Sequence, residues 1–306
     1  MMKKSLLLAL VMGSAACGSS EKSPSPDTAN APEGSASVDP AHPLLFVVNG
    51  GDGTLSVLDA ESNTVTGTID LGDVEFPHHV SISRDGATLM VAVPGMDFSK
   101  GHEMSGSHTM PGAVLKVDVA SGKVVQNKAL PLMNHNAAFS PDGTEVWTAQ
   151  MGMPGSVLIL KADALEQVTS LPLGHMPTEV TFAADGNTAF VANEMTNDVS
   201  VIDVAKKTVI TKVYVAKGPV GAWPGSNNVM YVDSEEGQAI TAIDGATHAT
   251  LNTFPLGFAP GMAALAPDST LWVSDSTGGA VVIFDPKTGK SLGKIPTAAG
   301  AHAILF

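Results

Sequence analysis

The chain has 306 residues, 30 of them acidic and 16 basic, giving a formal net charge of -14 with only 15% of positions charged. Such an acidic surplus repels phosphate backbones and argues against nucleic acid as a partner. With 31 Gly, 20 Pro and a hydrophobic fraction of 44%, the chain reads as short apolar segments joined by many turns, and a single cysteine excludes a disulfide framework, a CxxC pair, a Cys-type zinc site and a CxxCH haem attachment.

The chain opens on an address. Lys3 and Lys4 precede the short apolar stretch from Ser5 to Met12, the pattern of a secretory signal. No run reaches the roughly 20 apolar residues that a membrane-spanning helix needs. Small residues, Gly13–Ser14–Ala15–Ala16, lead to the sole cysteine, Cys17. This resembles a bacterial lipoprotein processing site, with Ser14 where that family usually has Leu. The resemblance implies that residues 1–17 are a signal and that Cys17 becomes the lipidated start of the mature protein. Gly18 in the next position implies sorting to the outer membrane of a cell envelope, facing the periplasm or the cell surface. Residues 18–43 are rich in Ser, Pro, Ala and Glu. They carry too little apolar surface to offset ordering entropy, and a flexible tether is expected there.

From residue 44 onward one unit recurs. Strand-ending turns repeat at Asp85–Gly86, Asp142–Gly143, Asp185–Gly186 and Asp268, and an Asp closes an alternating strand at Asp59, Asp118, Asp203, Asp244 and Asp285. The step from Asp118 to Asp203 spans two repeats, with Lys161 standing where the intermediate Asp would be. Each repeat reads as four short strands with period-2 alternation, as in residues 177–216. Four strands in about 40 residues are the dimensions of a β-propeller blade.

The stretches Leu45–Gly72 (LFVVNGGDGTLSVLDAESNTVTGTIDLG) and Ala189–Ile210 (AFVANEMTNDVSVIDVAKKTVI) resemble YVTN-type repeats of exported bacterial and archaeal propellers. The fold expected is all-β, a single propeller domain over 44–306 with six four-stranded blades. Seven blades, commoner in that family, are the alternative. The segment from Leu44 supplies only three strands, and Ala301–Phe306 reads as a lone first strand. Joining the two closes the ring and removes free sheet edges.

By analogy with the fold, the segment entering each inner strand and the loop between the second and third strands share one rim. The entering segments carry His78 and His79, His135, His175 and His302. Aligned on the Asp-Gly turns, His78 matches His135, and His79, Asn136, Glu179, Met262 and His302 match one place later. The second blade is longer than the others, and its surplus is a loop carrying His102, Met104, His108 and Met110 on the same rim. Met151, Met153 and Met195 lie in the corresponding loops of the next two blades. Seven of the nine histidines therefore belong to one mouth. Imidazole binds borderline metals and thioether binds soft ones, so a His/Met set without thiolate points to copper.

The pair His78–His79 entering an inner strand is similar to the copper-ligating propeller of nitrous oxide reductases. That family uses more inner-rim histidines and has a cysteine-rich electron-entry domain that this chain lacks, so the likeness implies a rim copper site and not the activity. The expected ligands are His78, His79, His135 and His302 as a rigid set, with His175 beside them and the arm of His102, Met104, His108 and Met110. The function expected is binding, buffering or delivery of a metal ion by a protein held at the membrane only through its lipid anchor. Two other readings stand beside it. One is a scaffold propeller that binds an envelope protein or a ligand, with the histidines packed and metal-free. The other is a propeller enzyme, lactonase-like or a copper oxidoreductase, for which Glu179 with His135 is the acid/base pair.

Overall fold

Alternating sequence becomes alternating burial in the first blade, where Leu44–Asn49 places Leu44, Phe46 and Val48 inward. Elsewhere the middle strands are buried on both faces, as in Thr188–Asn193, because each sheet is sandwiched between two others. The computed structural model describes residues 43–98, 110–300 and 302–306. They form six antiparallel sheets. The first has three strands (Leu44–Asn49, Thr54–Asp59, Thr64–Asp70) and each of the others four, in meander order. Blades two to six begin with the inner strands Val80–Ile82, Ala138–Phe139, Pro177–Phe182, Pro219–Pro224 and Ala263–Leu265. The described residues contain two short 3-10 turns, Glu194–Thr196 and Ser226–Asn228, and no α-helix. This is the six-bladed propeller expected from the repeats. The signal, Cys17 and the tether up to residue 42 lie outside the described residues, as do His42, His102, Met104 and His108.

The repeated aspartates are turn formers. Asp85 accepts from the Ser83 hydroxyl (2.6 Å) and the Ala87 amide (3.0 Å), which closes the turn over Gly86 at φ 75. Blade six has Ser269 in the same left-handed position, at φ 68. At the far end of the next-to-last strand, the pairing with the outermost strand shifts register by one residue in all six blades. A bulge there bends the outer strand and adds twist. The closing Asp then takes the loop amides, as Asp59 does from Glu61 (2.8 Å) and Ser62 (2.9 Å). Lys161 replaces that device in blade three by pairing with Glu166 at 2.8 Å.

The apolar core lies between blades. Five clusters join blades one to two, two to three, three to four, four to five and five to six in turn. The sixth contact is made by residues 302–306. They carry no strand pairing, so the fourth strand expected for blade one is an irregular segment. Ser274 donates to the His302 carbonyl (2.6 Å), the Phe306 ring meets Trp272 edge-on at 5.2 Å, and Ala303 packs against the core of blades one and two. Gly261 makes room for this segment, since a Cβ there would lie 2.9 Å from the Ser274 hydroxyl and 3.1 Å from the His302 ring.

Candidate metal centre

Three imidazoles meet at the entry to the inner strands of blades two and three. His78 and His79 precede Val80, and their backbones continue the ladder onto Ala92, at 2.9 and 2.8 Å. His135 sits between two asparagines that pin its backbone. Asn134 donates to the Ala113 carbonyl and to the Thr148 hydroxyl, both at 3.2 Å, and Thr148 donates to the Asn136 carbonyl at 2.6 Å. Asn136 reaches the next blade, donating to the Val180 carbonyl (2.8 Å) and accepting from the Val180 amide (3.0 Å). Ser81 ties blade two to blade three through the Ala137 carbonyl at 2.6 Å. These clamps fix the inner strands of three consecutive blades side by side.

Within that frame the Nε2 atoms of His78 and His135 are 2.9 Å apart. Candidate ligand atoms of His78, His79 and His135 all lie within 4.8 Å of one another. His78 and His135 are 2% and 1% exposed, and the His79 side chain is 13% exposed. Glu179, from the inner strand of blade four and itself buried, completes the cluster. Its Oε1 is 3.1 Å from His135 Nδ1 and 2.9 Å from His79 Nε2. Burial pushes the Glu179 carboxyl up, but the His79 charge and the hydrogen bonds from His135 and His79 outweigh it and hold the group well below the usual carboxylate range. A buried anion beside convergent imidazoles favours a cation in their midst.

A methionine cluster reaches the rings through Phe98. Met133, Met151 and Met176 are fully buried and cluster with Phe98 and the partly buried Met96. The Phe98 ring stands 5.2 Å from His78 and 5.4 Å from His135.

Residues 133–304 match the family model PQQ_2, described as outer membrane protein assembly factor BamB. This chain belongs to that family. The YVTN-type likeness remains one of repeat pattern; the family shown is the BamB type. No curated protein matches the chain. Among solved structures, a functionally unknown protein from Desulfotomaculum acetoxidans DSM 771 is similar, with a TM-score of 0.64 and 14% identity over 83% of this chain and 80% of that one. Kuenenia stuttgartiensis hydrazine synthase is similar with a TM-score of 0.59 and 21% identity over 73% of this chain and 67% of that one. At those identities the likeness is one of fold.

On this BamB-type propeller, the nominated ligands fall into four groups. His78, His79 and His135 converge. His302 lies next to them, its ring 6.0 Å from that of His78 and 6.4 Å from that of His79, outside the ligand group of three. His175 and Met110 are exposed, and the His175 carbonyl accepts from the Met195 amide at 3.3 Å. His102, His108 and Met104 belong to the undescribed part of the long loop. The Glu179–His135 contact weighed for acid/base chemistry is present, and the same carboxylate also meets His79. Sequence reasoning passed over the two asparagines flanking His135, although the Asn–His–Asn triplet was visible, and over Phe98, which only the fold brings to the rings.

Proposed function

We propose that this chain is an envelope propeller that holds a transition-metal ion, copper, in the His78–His79–His135 cluster, for binding, buffering or delivery. The observation that carries this reading is the convergence of three imidazoles from two blades with ligand atoms inside 4.8 Å. Imidazole suits copper, and the methionine cluster that meets the rings through Phe98 supplies soft, polarizable surroundings nearby. Glu179 supplies buried negative charge. Processing at Cys17 would anchor the protein to an envelope membrane by lipid, with residues 18–43 as the tether. The arm of His102, Met104, His108 and Met110 would gather the ion, with His175 and His302 flanking the centre.

A second reading comes from the family match: a scaffold that docks an envelope protein, with the histidines as packing. Metal analysis of untagged protein separates the two. The expected outcome is one copper per chain, lost in His78→Ala and His135→Ala while both variants keep the β-sheet circular dichroism of the folded protein. Wild-type protein that takes up no copper, yet captures an envelope protein in pulldowns, would favour the scaffold. Hydrolysis of lactones without copper would favour an enzyme.

A further inference from the structure

Glu179 holds two of the three imidazoles, yet it comes from neither of their blades. Its strand, Pro177–Phe182, is shifted in register against its neighbour between Pro177 and Val180, so the residue sits at an irregularity in the pairing. Asn136 grips Val180 on both its amide and its carbonyl, which fixes the position of Glu179 relative to His135. The Glu179 Oε1 then accepts from His135 Nδ1, at 3.1 Å, and lies 2.9 Å from His79 Nε2. A ring that donates through Nδ1 has its lone pair on Nε2 when neutral. In His135 that nitrogen faces His78 Nε2 at 2.9 Å, on the side where the imidazoles converge.

We infer that Glu179 is the positioning residue of the centre: its carboxylate fixes the tautomer and rotation of His135, so that Nε2 is presented to a metal ion, and restrains His79 with the same oxygen. The inference rests on the metal reading above. The carboxylate thus acts through its imidazoles, as outer partners of ligating histidines commonly do, and their removal typically weakens binding about 10–100-fold. Asn136 acts one step further out, by fixing the blade from which the carboxylate projects.

The test compares wild type, Glu179→Ala, Glu179→Gln and His135→Ala as full chains. Copper(II) affinity is measured by competition with a chelator, the copper EPR spectrum is recorded, and the His135 tautomer is read in apo protein by long-range 15N NMR. Glu179→Ala should bind about 10–100-fold more weakly, with altered copper hyperfine coupling and loss of the Nδ1-protonated form of His135. Glu179→Gln retains an acceptor oxygen and should fall between wild type and Glu179→Ala. It also serves if Glu179→Ala does not fold. Wild-type affinity, spectrum and tautomer in the Glu179 variants, with copper binding lost in His135→Ala, would overturn the inference and leave the metal reading standing. Wild-type protein that binds no copper at all would overturn both.

Discussion

Asp233 shows what one buried carboxyl costs in this fold. It is fully buried, the Trp223 indole donates to its Oδ1, and its Oδ2 has no hydrogen-bond partner. Burial pushes its pKa well above the usual carboxylate range, the Trp223 bond opposes that, and the charges of Glu235 and Glu179 add to it. The folded protein therefore keeps a proton that the unfolded chain releases. Stability contributed by this group is full below the unfolded value of about 4 and falls as pH rises toward the raised folded value. Asp233→Asn keeps an acceptor for Trp223 and removes the ionisation. Melting curves of the two proteins should nearly coincide near pH 4 and separate as pH rises, with the variant ahead at pH 8 by on the order of 1 kcal/mol, or roughly 2–4 °C. Curves that stay parallel across that range would show that Asp233 is not held protonated.

At the scale of elements, the clamp between blades three and four is the critical joint. Asn136→Ala leaves the Val180 amide and carbonyl unpaired where water has little access. Each unpaired buried group costs about 1–3 kcal/mol, so with two of them the melting temperature should fall by roughly 4 °C or more. A smaller loss in Asn136→Asp, which keeps the oxygen that accepts from the Val180 amide, would assign the two bonds separately. An unchanged melt in Asn136→Ala would remove the clamp from the account. The blades themselves were legible before any coordinates, because their signals are local: an Asp two residues from the amide that it caps, a Gly at positive φ, a strand that alternates. The rim histidines were legible only as an alignment of equivalent positions. That His78 would touch His135, and that Glu179 would touch His135, depends on side chains from neighbouring blades, 57 and 44 residues apart. The asparagine clamps were hidden for the same reason, since their partners are backbone groups of the next blade.

For the whole molecule, the seam between blades six and one sets the pattern of stability. The other five junctions are hydrophobic clusters, whereas this one is spanned by the five residues 302–306 through the Ser274 and Met262 bonds to His302 and Ile304, ring contacts of His302 and Phe306, and the packing of Ala303. A chain ending before His302 should still form its blades but open at the seam, exposing the flank of the first blade. Its melting temperature should drop by roughly 5–10 °C with a broader calorimetric peak, reflecting apolar surface returned to water. A truncated protein that melts as sharply and as high as the full chain would show that the ring closes without this segment.

The origin of the imidazoles and their carboxylate in three successive blades has a consequence for biogenesis. No single repeat contains the whole centre, so a nascent or partly unfolded chain lacks the assembled set of three imidazoles and their carboxylate. If the centre holds an ion as proposed, occupancy would certify assembly: only a molecule whose second, third and fourth repeats have docked in the correct order would retain it. On the same reading, a chain that comes apart would give the ion up.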